Sequence, residues 1–71
     1  MMDTKNDKFK RLAKQRGDRI LRDLRLLGNL SNTNNYFYTD QEVSKVFNII
    51  EEELKVARLR FKGNKKREIK L

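Results

Sequence analysis

Chemistry at a protein site needs side chains that attack, exchange protons or hold a metal, and this sequence supplies few of them. It contains no Cys and no His, which removes the thiolates and imidazoles that serve most often as nucleophiles, bases and zinc ligands. Its one acidic cluster is Glu51-Glu52-Glu53. Consecutive helix positions point about 100° apart, so these carboxylates do not converge as a metal site or an acid–base pair requires. Glu51 is spaced instead to pair with Lys55 and Arg58 on a salt-bridged surface. No nucleophile–base couple and no Gly-rich phosphate loop occurs. The residues predict no enzyme, no metal, no cofactor and no small-molecule substrate.

Positive charge is the feature that does carry chemistry. Eighteen Lys and Arg against ten Asp and Glu give a formal net charge of +8 over 71 residues. Residues 1–28 hold nine bases (Lys5, Lys8, Lys10, Arg11, Lys14, Arg16, Arg19, Arg22, Arg25) against Asp3, Asp7, Asp18 and Asp23. Residues 29–62 balance, and residues 63–71 carry Lys65, Lys66, Arg67 and Lys70 against Glu68. An excess at both ends favours a polyanion: nucleic acid first, then an acidic protein surface or anionic lipid. At helical spacing Lys8, Arg11, Lys14, Arg19, Arg22 and Arg25 form a ridge able to follow a phosphate backbone, with Lys65, Lys66 and Arg67 as a second basic segment. Pairs at i,i+4, Asp7 with Arg11 and Asp18 with Arg22, neutralise the ridge only in part. A merely solvated face is the competing reading.

The stretch Asn29-Leu30-Ser31-Asn32-Thr33-Asn34-Asn35-Tyr36-Phe37-Tyr38 offers a second kind of contact. Asn32 and Asn35 supply amide donors and acceptors, and Tyr36 a flat ring, a combination suited to single-stranded or looped RNA. Structural duty competes strongly here. Asn accommodates turns, Tyr38 suits a helix entry, and Leu30 or Phe37 can close the end of a core. Arg16-Gly17-Asp18 spells an adhesion tripeptide, but it falls inside a helical pattern and is read as coincidence.

These residues must be positioned by two helical patterns flanking one polar loop. The first starts at a cap, Thr4 or Asn6, and runs over about residues 5–27, with Phe9, Ala13, Ile20, Leu24 and Leu27 on one side and the ridge opposite. Gly28-Asn29 is a natural stop, because both tolerate the left-handed backbone that ends many helices. Gly17 costs about 1 kcal/mol in a helix interior, which predicts close approach of a neighbouring helix or ring. The second helix, about residues 40–62, opens on the capping box Thr39-Asp40-Gln41-Glu42, with Tyr38 and Val43 placed as a hydrophobic staple. Val43, Phe47, Ile50, Leu54, Ala57 and Phe61 recur at four- and three-residue steps as a coiled-coil-like seam. Acids lead this helix and bases end it, and residues 63–71 read as a basic tail.

The predicted fold is therefore all-α: one domain, an antiparallel helical hairpin with its loop at residues 28–39. Two helices sharing one seam make a thin core. Ile49, Val56 and Leu59, with Leu21 on the first helix, form a second apolar stripe left outside it. That stripe predicts pairing of hairpins into a homodimeric bundle, or docking on a larger protein. The N-terminus has no apolar run of signal type, and the longest purely apolar stretches are pairs such as Leu26-Leu27, so no membrane segment is expected and the cytoplasm is the expected location.

The central segment resembles a group of small bacterial helical-hairpin proteins in which a G-N-L-S-N…N-Y-x-Y-T connector joins two helices. The residues that carry it are Arg25-Leu26-Leu27-Gly28-Asn29-Leu30-Ser31-Asn32, then Asn35-Tyr36-Phe37-Tyr38-Thr39. Val43, Phe47, Glu51, Leu54, Ala57-Arg58 and Phe61 extend it, over roughly residues 9–61. The resemblance implies the hairpin and no particular activity. The expectation drawn from the residues is a basic module binding nucleic acid, RNA in preference to DNA because nothing matches a major-groove reading module. The alternative is an accessory module, for example of a mobile element, that docks on a larger protein or ribonucleoprotein. An anionic membrane surface fits less well, since the first helix lacks Trp and a large exposed apolar face.

Overall fold

The structure is a computed structural model in which residues 4–63 are described. Two long helices, α1 (Lys5–Gly28) and α2 (Asp40–Gly63), are joined through a 3-10 turn at Asn29–Ser31 and an irregular connector. With no strand among the described residues, the element order is that of an all-α helical hairpin. The chain divides into two units, Met1–Phe37 and Tyr38–Leu71.

In the first unit, Thr4 fixes the start of α1 through a reciprocal pair. The Asp7 N–H donates to Thr4 Oγ1 at 3.0 Å, and the Thr4 N–H donates to Asp7 Oδ2 at 3.3 Å. Two backbone donors that the helix geometry leaves without carbonyl partners are thereby satisfied. Thr4 is therefore the cap, and Asn6 lies inside the helix. The far end departs from expectation. Gly28 (φ −61°, ψ −29°) and Asn29 (φ −65°, ψ −20°) both stay right-handed, and no described residue has positive φ. The helix tightens into the 3-10 turn, so its last carbonyls are met by shorter bonds instead of a left-handed cap. The Asn29 N–H reaches the carbonyls of Arg25, Leu26 and Leu27.

Asn32 then turns the chain. It is extended (φ −68°, ψ 102°). Its carbonyl oxygen accepts the N–H groups of Asn35 at 3.2 Å and Tyr36 at 3.0 Å, while its Oδ1 accepts the Asn34 N–H at 3.0 Å. One Asn thus supplies both a backbone turn and its side-chain mimic.

In the second unit, Thr39 caps α2 as the Thr-x-x-Glu spacing predicts. The Glu42 N–H donates to Thr39 Oγ1 at 3.1 Å, and the Thr39 N–H and O–H donate to Glu42 Oε1 at 2.9 and 3.0 Å. Asp40 and Glu42 stand in the first turn and Arg60 and Lys62 in the last, each complementing the helix dipole. Tyr38 and Val43, at the staple positions, are among the least exposed large apolar side chains at 36% and 37%.

No side chain among the described residues is buried. Leu12, Gly17, Leu27 and Ile50 are half-buried and the rest exposed. Taken by itself, each helix leaves its apolar stripe open, because a lone helix cannot cover its own stripe. Apart from its chain neighbours and its own helix backbone, nothing lies within 4 Å of where a Cβ on Gly17 would sit. Among the described residues no helix is long and apolar enough to cross a membrane.

Candidate nucleic-acid interface

The six predicted ridge residues all fall on α1, which runs without interruption from Lys5 to Gly28. At 100° per residue Lys14, Arg25, Arg11, Arg22, Lys8 and Arg19 occupy an arc of roughly 140°, and from Lys8 to Arg25 they extend roughly 26 Å. One strand of a duplex presents about seven phosphates over such a length. Helix formation therefore brings these cations to one face, as their spacing requires.

Acids meet this face at Lys14 and beside Arg22. Lys14 Nζ donates to Asp18 Oδ2 at 2.7 Å. That hydrogen bond, reinforced by the carboxylate's charge, holds the Lys14 ammonium above its usual pKa of 10.5. Asp18 is thus taken from the N-terminal side by Lys14, in place of the expected pairing with Arg22. Arg22 Nε lies 4.0 Å from its neighbour Asp23 Oδ1, at the limit of an ion pair. Lys8, Arg19 and Arg25 form no ion pair with any described residue. Both partners of the Lys14–Asp18 bridge are largely exposed, at 79% and 61%, so it is a screened surface pair that a phosphate can displace at little cost.

Of the connector residues, Asn32 is occupied in shaping the turn, with its Oδ1 and carbonyl oxygen both engaged. The N–H groups of its side-chain amide remain as donors. Asn35 has no side-chain hydrogen bond among the described residues, and the Tyr36 ring is about half exposed. Phe37, which the sequence offers with Leu30 as a candidate to close the end of a core, is at 93% the most exposed of the large apolar side chains among the described residues, and Leu30 is open by 46%. Lys65, Lys66 and Arg67 lie outside the described residues.

The predicted partner stripe is solvent-facing. Leu21, Ile49, Val56 and Leu59 are exposed by 51%, 58%, 45% and 61%. So, however, are most of the seam residues: Leu54 and Phe61 are open by 68% and 62%. Glu51, Lys55 and Arg58 form no ion pair with one another. Among the described residues no cluster of three acids or other donors could hold a metal ion. A shallow groove on the first turns of α2, lined by Asp40, Gln41, Ser44, Lys45 and Asn48, is open to solvent. No protein-family model, no curated protein and no solved structure matches the chain.

Proposed function

We propose that this chain is a basic, all-α binding module that holds nucleic acid, RNA in preference to DNA, through phosphate contacts from α1. The observation that carries the reading is the ridge of six cations on one face of one continuous helix. Fixed charge at helical spacing gives an affinity that is electrostatic, tolerant of sequence and steeply dependent on salt. Asn35, Tyr36 and the remaining amide N–H groups of Asn32 add groups able to meet unpaired bases, which is the basis for preferring RNA loops or single strands. Lys65, Lys66 and Arg67 add further phosphate contacts in this reading. No catalysis belongs to it, and the cytoplasm is its location.

The test is a fluorescence-anisotropy titration of labelled single-stranded RNA, duplex RNA and duplex DNA at low salt. Single-stranded RNA should bind most tightly, and Tyr36→Ala should weaken that ligand more than the two duplexes. If none of the three binds below high micromolar concentration, the proposal fails.

A second reading is favoured by a separate observation. Ile49, Val56 and Leu59 on α2 and Leu21 on α1 are apolar and exposed, and an uncovered apolar stripe is the ordinary mark of a protein-docking surface. The chain would then be an accessory module on a larger protein or ribonucleoprotein. Ile49→Glu with Val56→Glu should abolish such docking and leave RNA binding unaltered, which separates the two readings.

A further inference from the structure

The charge on α2 is strongly divided along its length. Residues 40–53 carry Asp40, Glu42, Glu51, Glu52 and Glu53 against Lys45, while residues 54–63 carry Lys55, Arg58, Arg60 and Lys62 with no acid. Such a helix repels a parallel copy of itself at both ends and attracts an antiparallel one. Its seam is also least covered toward the basic end. Leu54 and Phe61 are exposed by 68% and 62%, against 37% and 41% for Val43 and Phe47.

We propose that α2 pairs antiparallel with α2 of a second copy of this chain, over residues 48–63. In a seam with Phe47, Leu54 and Phe61 at a positions and Val43, Ile50 and Ala57 at d positions, Glu51 and Arg58 are e residues, and Glu53 and Arg60 are g residues. Antiparallel helices bring e against e and g against g. Full overlap of the two helices would set Glu51 against Glu51 and Glu53 against Glu53. Sliding one heptad removes those like-charge contacts. Glu51 then faces Arg58 of the second copy and Glu53 faces Arg60 of the second copy, and two-fold symmetry repeats both pairs. In the same register Ile50 meets Phe61 and Leu54 meets Ala57, so large side chains fall against smaller ones. The pairing is independent of any contact that α1 makes with nucleic acid.

Two experiments on the full chain test it. Sedimentation from micromolar to millimolar concentration should show a dimer. Glu51→Arg with Glu53→Arg, or Arg58→Glu with Arg60→Glu, should each weaken it at least roughly tenfold, because four modest attractions become repulsions. An equimolar mixture of the two variants should restore it. The natural chain has no Cys, so introduced thiols report orientation cleanly on the unaltered charge background. A Leu54→Cys chain should cross-link to an Ala57→Cys chain and poorly to itself. A monomer throughout the concentration range, association indifferent to the reversals, or self-cross-linking of Leu54→Cys as efficient as the mixed pair would each overturn the proposal. Should the reversal variants lose helicity by circular dichroism, the cysteine pairs decide alone.

Discussion

Replacing Thr39 by Ala isolates the interaction that starts α2. In the native chain Thr39 Oγ1 accepts from the Glu42 N–H at 3.1 Å and donates to Glu42 Oε1 at 3.0 Å. Alanine deletes both bonds and leaves only the Thr39 backbone N–H to Glu42 Oε1, at 2.9 Å. Loss of a threonine cap costs about 0.5–2 kcal/mol. All three bonds are solvent-exposed, so water replaces part of what is lost and the middle of that range, about 1 kcal/mol, is expected. That corresponds to a roughly fivefold larger opening constant for the first turn. The assay is amide hydrogen exchange read by NMR at Glu42 and at Val43, whose N–H donates to the Thr39 carbonyl at 3.1 Å. Thr39→Ser, which keeps the hydroxyl, should exchange close to the native rate. Exchange at Glu42 and Val43 unchanged by alanine would refute the capping account of where α2 begins.

The remaining predictions concern α1 and the connector. Gly17→Ala should stabilise α1 by about 1 kcal/mol and raise its helicity, because nothing beyond its own helix backbone and chain neighbours lies within 4 Å of the new methyl group; reduced helicity by circular dichroism would show that a neighbour does pack there. Gly28→Ala should be equally well tolerated, since Gly28 sits at φ −61° and needs no left-handed freedom. Asn32→Ala should speed amide exchange at Asn34, which loses its acceptor, and barely change it at Tyr36, whose acceptor is the retained carbonyl. The Lys14–Asp18 bridge raises the lysine's pKa. Its small stabilisation is therefore fully present below 10.5 and fades as pH rises through the higher folded value; a 15N-detected lysine titration should find Lys14 deprotonating later than in Asp18→Asn.

The helices were legible because their signals are redundant, and the misreadings fall where a signal was single. Thr39-x-x-Glu42, the staple and a six-residue seam all place the start of α2 at one residue, and the structure starts it there. At α1 the reciprocal cap uses Asp7, whose side chain is shorter than the Glu usually found in that role, so the sequence left Thr4 and Asn6 both open. Gly28-Asn29 permits a left-handed exit without compelling one, and the backbone continues right-handed into the 3-10 turn. Asp18 has a base four residues away on either side, and spacing alone does not choose between Lys14 and Arg22. The ridge on α1 was readable because helical periodicity fixes the face of every residue at once. Phe37 was not, because exposure in an irregular connector depends on turn geometry set by Asn32, which no periodic pattern encodes.

The central claim is that the α1 ridge neutralises phosphates, and the salt dependence of binding tests it most directly. Binding of single-stranded RNA should be titrated across a range of salt concentrations for the native chain and for Arg11→Glu with Arg22→Glu. Each phosphate contact on a single strand contributes roughly −0.7 to the log–log slope, so losing two should flatten it by roughly 1.4 while lowering affinity for every RNA sequence alike. A native slope near zero, or a slope and affinity that the double reversal leaves unchanged, would contradict the account and reduce the ridge to a solvated face.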